Sequence, residues 1–146
     1  MPHHNFTSET EIHRIGLGLI DRSLPKSDWT HAAHFAAALW LMRYRPELEA
    51  SACMPDFIRA YNEATGVANT DTDGYHETIT QASLRAARAE LDRYSASTPI
   101  FEIANALMAS PLGRSDWLLA YWSNARFFSS EARKRWCDPD VQPFPF

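Results

Sequence analysis

Apolar residues recur along this chain at helical spacing, and nowhere do they alternate with polar ones over a sustained stretch. That pattern predicts helix after helix and no sheet. The first segment, Ser8 to Ser23, sets Ile12, Ile15, Leu19 and Ile20 on one stripe, and Leu24-Pro25 ends it. Gly16 and Gly18 each cost that helix about 1 kcal/mol relative to Ala, unless they serve the close approach of a neighbouring backbone. Asp28 to Tyr44 follows, with Ser27 offering an N-cap and Asp28 an anion in the first turn. This run is apolar on most of its circumference, which predicts a central, buried helix. Glu47 to Thr65 is a third helix, interrupted at Pro55 and stopped by Gly66. Beyond the irregular stretch Val67 to Gly74, Tyr75 to Tyr94 reads as the fourth. Ile100 to Ala109, Asp116 to Trp122 and Ser130 to Trp136 are shorter helices, and residues 1–7 and 138–146 read as extended tails. The prediction is a single-domain, all-α bundle of about four main helices with short C-terminal ones.

Composition narrows this without changing it. The 146 residues suit one domain, and 45% of them are hydrophobic, which argues against disorder. A net charge of −4 lacks the basic stripe of a nucleic-acid binder. The longest apolar run, Phe35 to Met42, falls far short of the ~18 residues that suggest a membrane span. The polar N-terminus has no signal-peptide core, so a cytoplasmic location is expected. Cys53 and Cys137 form no CxxC and read as two free thiols. His3 and His4, adjacent on a terminus, make a poor metal pair.

Two polar stretches carry the candidate chemistry. In Trp29-Thr30-His31-Ala32-Ala33-His34, the histidines stand at i and i+3 on one side of a helix. The same side continues through Ala38, Leu41 and Met42, so both imidazoles are expected to look inward. There they would chelate a metal, line a pocket, or simply bond to backbone carbonyls and hydroxyls. The second stretch runs from Asn69 to Thr80. Asn69, Asp71, Asp73 and Gly74 imitate the start of a calcium loop, but His76 and Thr80 stand where that loop needs an apolar residue and a bidentate Glu. The simpler reading is an Asx-rich turn capping the fourth helix through Thr72 or Asp73. His76 and Glu77 then fall in its first turn, with Glu77 either a capping charge or a functional carboxylate.

Taken together, His31, His34, His76 and Glu77 have the make-up of a site for a divalent first-row metal such as Zn, Fe, Mn or Ni. Glu77 would be a fourth ligand or a general base on a metal-bound water. The alternative is a metal-free pocket in which the histidines and the hydroxyls of Thr30, Tyr75, Thr78 and Thr80 bind a small molecule. A third reading gives the cluster a packing role alone. No phosphate-binding glycine loop, nucleophile elbow or HExxH is present. The aromatic C-terminal third, with Trp117, Tyr121, Trp122, Phe127 and Phe128, reads as core packing, or else as a pocket lid or a homodimer surface.

The strings Trp29 to His34, Tyr61-Asn62-Glu63-Ala64-Thr65-Gly66 and Gly74-Tyr75-His76-Glu77-Thr78-Ile79-Thr80 resemble a family of small uncharacterised bacterial proteins. The likeness extends to Glu131-Ala132-Arg133 and Trp136. It implies a small all-helical bacterial protein and no particular activity. A broader similarity to metal-dependent four-helix proteins of the DinB type rests on size and histidine content. Their ligand spacing is not seen here, so no residue role is carried over.

Overall fold

A computed structural model describes residues 5–146, so the His3 and His4 pair lies outside the described residues. Among these the chain is all-helical, with no strand. Its α-helices are Glu9–Asp21 (α1), His31–Tyr44 (α2), Ala50–Ala64 (α3), Glu77–Leu91 (α4), Ile100–Ala109 (α5), Asn124–Phe127 (α6) and Ser130–Lys134 (α7). No helix is long and apolar enough to cross a membrane among the described residues.

The apolar periodicity becomes the core. Helix α2 is buried on nearly all sides, from Phe35 to Met42 without a break, and α1, α3, α4 and α5 all pack on it. The two α1 glycines serve close approach. A Cβ on Gly16 would stand 2.3 Å from the Trp40 ring, and one on Gly18 would stand 2.9 Å from the Leu24 Cβ. Helix α2 begins later than the sequence suggests. Lys26–Asp28 forms a separate 3-10 turn, and the cap is Thr30, whose hydroxyl accepts from the Ala33 amide. Ser27 is therefore not the N-cap.

Two further helices depend on partners remote in sequence. Pro55 lies inside α3 and cannot donate to the carbonyl of Ser51, one turn earlier. Gln81 of α4 donates its side-chain amide to that carbonyl instead, at 3.0 Å, and the helix continues through the proline. Helix α5 follows Pro99, which has no side-chain cap to offer. The carboxylate of Glu9, on α1, accepts from the amides of Ile100 and Phe101 at 2.9 and 3.0 Å. A carboxylate there satisfies orphan N–H groups and meets the positive end of the helix dipole.

The loop before α4 is tied to α3 by Asn69. Its Oδ1 accepts from the Asn62 side chain and the Tyr75 amide, and its Nδ2 donates to the Arg59 carbonyl. Gly74 has φ +79, and a Cβ there would meet the Ala68 carbonyl at 2.4 Å. The expected cap by Thr72 or Asp73 is corrected: α4 starts at Glu77, and its cap is His76.

The C-terminal residues, non-helical from 135 onward, are fastened to the rest. Thr78 of α4 has its hydroxyl within hydrogen-bond distance of the Ala132 and Arg135 carbonyls and accepts from the Cys137 amide. Trp122 donates to the Cys137 carbonyl. Phe144 then packs its ring against Trp117, Tyr121, Trp122 and Trp136. Both cysteines are free thiols.

Candidate functional site

Helix α2 starts at His31, which puts the two histidines in its first turns, close to the Thr30 cap. Each uses one ring nitrogen on a backbone carbonyl. His31 Nε2 lies 2.8 Å from the Leu112 carbonyl, and His34 Nδ1 lies 2.6 Å from the Thr30 carbonyl. A carbonyl only accepts, so the ring nitrogen donates in both cases, and in a neutral imidazole the other nitrogen is left as an acceptor. His31 is left with a bare Nδ1 and His34 with a bare Nε2. The His34 ring also lies on Trp29, with centroids 3.9 Å apart. Surrounding protein pushes the His34 pKa down, the Thr30 carbonyl opposes this, and His31 adds to it. Contrary to the inward orientation expected of both imidazoles, His34 is exposed and His31 half-buried, so for His34 only the downward direction of the shift stands.

Both histidines line a pocket of about 270 Å³ between α2, α3, α4 and the residues that follow α5. Its walls are largely apolar, with Trp29, Phe35, Met54, Ile58, Trp117 and Phe127 among them. Thr80, Ser83 and Ser115 add hydroxyls, and no Lys, Arg, Asp or Glu lines it. A second cavity, an open cleft of about 810 Å³, shares His31 and Ser115 with this pocket. That cleft carries the Arg14–Asp28 ion pair, at 3.1 Å, and the Arg114–Asp116 pair, at 3.0 Å.

His76 is elsewhere. Its Nδ1 accepts from the Ile79 amide at 3.1 Å, and its Nε2 donates to the Phe127 carbonyl at 2.9 Å. The ring stacks on Phe127 at 5.3 Å. Both nitrogens are therefore committed, and the residue is buried. Burial depresses its pKa, the Phe127 carbonyl opposes that, and the Arg133 charge reinforces it. His76 reaches the pocket only through Phe127, whose position it fixes.

The expected convergence of His31, His34, His76 and Glu77 on one ion is not what the chain builds. Among the described residues no group of three or more His, Cys, Asp and Glu could hold a metal ion. Glu77 lies outside the pocket and accepts a short hydrogen bond from the Tyr75 hydroxyl. Burial raises the Tyr75 pKa, and the Glu77 bond raises it further. The guanidinium of Arg59 sits 4.2 Å over the Tyr75 ring. Of the four hydroxyl residues expected in a pocket, Thr80 lines the one that holds both histidines, and Thr30 lines the cleft. Tyr75 and Thr78 line neither; Thr78 is fully buried and secures the C-terminal segment.

Sequence reasoning missed Ser83, Ser115, Met54 and Ile58. Ser83 was within reach, because it stands one helical turn after Thr80 on the same side. Ser115 was not, since its place depends on how the chain returns after α5.

No family model, curated protein or solved structure shows a significant match to this chain.

Proposed function

We propose that this chain is a small-molecule binding module whose ligand sits, without a metal, in the pocket lined by His31 and His34. In this reading α1 to α4 form the four-membered frame, and the short C-terminal helices close it. One observation carries the reading: two imidazoles, each with an uncommitted nitrogen, line a mostly apolar pocket of about 270 Å³. Small-ligand sites combine this kind of apolar wall with a few fixed polar groups.

The test is a set of small aromatic probes read by the rise in melting temperature that a native-state ligand must produce. Ala38 lines the pocket and is 3% exposed, so Ala38→Leu should fill it. Probes that stabilise the wild type and lose that effect in Ala38→Leu support the reading. Equal stabilisation of both proteins would move the site elsewhere. Stoichiometric metal in untagged protein, lost in His34→Ala, would overturn the metal-free reading.

A further inference from the structure

Three polar groups of the pocket, His31, His34 and Thr80, share a property that the residue types alone do not reveal. His31 gives its ring N–H to the Leu112 carbonyl, and His34 gives its own to the Thr30 carbonyl. Thr80 does the same one helix away, donating its hydroxyl proton to the His76 carbonyl at 2.9 Å. In each case the backbone takes a donor; in the neutral imidazoles that leaves a lone pair, while the Thr80 oxygen is shared with the Tyr75 hydroxyl. Three residues that could in principle donate or accept are thus fixed as acceptors. The His34 and Thr80 bonds each span four residues, and the His31 bond reaches the Leu112 carbonyl beyond α5.

Charge limits the ligand further. No acid lines the pocket to pair with an ammonium, and no Lys or Arg lines it to pair with a carboxylate. Bringing either ion into an apolar enclosure without a partner is costly. The walls, with Trp29, Phe35, Trp117 and Phe127, favour a flat aromatic body.

Resting on the binding-module reading above, we propose that the ligand is a neutral aromatic molecule whose principal polar group is a hydrogen-bond donor, as in a phenol or an indole. Its O–H or N–H meets the acceptors of His34, His31 and Thr80, and its ring meets the aromatic walls. Ser83 and Ser115 hydroxyls, which carry no side-chain bond within the described protein, remain to serve any second polar atom. The pocket would discriminate by hydrogen-bond direction. A ligand of equal shape that brings only an acceptor leaves lone pairs facing each other at His34 and His31 and has only the Ser83 and Ser115 hydroxyls to accept from.

The experiment compares phenol, anisole, toluene and benzoate with the full chain at mildly alkaline pH, by calorimetric titration and melting temperature. Anisole keeps the oxygen and removes its proton, so it isolates the donor. Phenol should bind about three- to tenfold more tightly than anisole or toluene, the range expected for one net hydrogen bond. Benzoate should bind weakest. His34→Phe keeps a ring against Trp29 and removes the acceptor, so it should reduce the ratio of phenol to toluene affinity. Equal binding of phenol, anisole and toluene would overturn the donor inference and leave the binding module standing. Tightest binding by benzoate would also overturn it. Binding by none of the probes would sink the module reading and this inference with it.

Discussion

His76 shows how one side chain answers several local demands. It caps α4, carries the Phe127 carbonyl and stacks on the Phe127 ring, all in its neutral form. Protonation would place a second N–H at Nδ1, facing the Ile79 amide, where two donors repel. The native pKa is lowered by burial, against the opposing Phe127 carbonyl. Below the ordinary imidazole value of about 6.5, the unfolded chain therefore binds more protons than the native one. Stability contributed by His76 is complete above that value and is lost as pH falls through it toward the depressed native pKa. Unfolding free energy of wild type should thus fall on acidification over this range, and more steeply than in His76→Asn. Urea titrations of the two proteins at a series of pH values check this, and parallel curves would refute it. Gly16 gives a second residue-scale prediction, in which two effects oppose. Ala would favour the helix by about 1 kcal/mol through propensity. Its Cβ would stand 2.3 Å from the Trp40 ring. Overpacking of a core costs typically ~1–3 kcal/mol, so Gly16→Ala should destabilise the protein on balance. A urea midpoint higher than wild type would mean that α1 shifts freely against α2.

At the scale of elements, the long helices were legible, but several starts and the short C-terminal turns were not: Asp116 to Trp122 holds only a 3-10 turn, Trp117–Ala120, and α6 was not foreseen. The continuous apolar run of α2 specifies a buried helix with no further information, and the Ile100–Ala109 helix stands where its periodicity puts it. The starts of α2 and α4 were misread because several Ser, Thr and Asp residues compete for each cap, and tertiary packing picks the winner. Thr30 rather than Ser27 caps α2, and a histidine caps α4. Pro55 is the clearest case of a local rule overridden from a distance. Its break is bridged by Gln81, a residue with no sequence relation to it. That bond yields a prediction by double-mutant cycle. Gln81→Ala leaves the Ser51 carbonyl without its protein partner, at a cost of about 0.5–1 kcal/mol because the bond is solvent-exposed. In a Pro55→Ala background the helix supplies its own N–H to that carbonyl, so the Gln81 change should cost less. Unfolding free energies of the four proteins measure the coupling, and strict additivity would show that the amide does not compensate for the proline.

For the molecule as a whole, the candidate site was half legible. The spacing of His31 and His34 put both in one pocket, but the identity of His76 said nothing about its nitrogens being spent on Ile79 and Phe127. Residue type announces a possible ligand; only the hydrogen-bond partners decide whether it is still available. The same long-range ties decide how the chain should unfold. The C-terminal third is joined to α4 through the Thr78 hydroxyl, and Phe144 is packed among Trp117, Tyr121, Trp122 and Trp136. Trp117 in turn lines the pocket beside α2, so the tail, the pocket wall and the central helix share one continuous set of contacts. Unfolding should therefore be a single transition, with tryptophan fluorescence and far-UV circular dichroism superimposing. Three of the five tryptophans, Trp117, Trp122 and Trp136, report on the C-terminal third, so separate melting of that region would appear first in fluorescence. Phe144→Ala sharpens the test. It removes a partly exposed ring, so the loss should fall somewhat below the ~3–5 kcal/mol of a fully buried Phe truncation. Both signals should move to lower denaturant together and remain coincident. If fluorescence shifts while dichroism stays in place, the tail and its aromatic cluster form a separate cooperative unit, and the pocket wall at Trp117 stands without them.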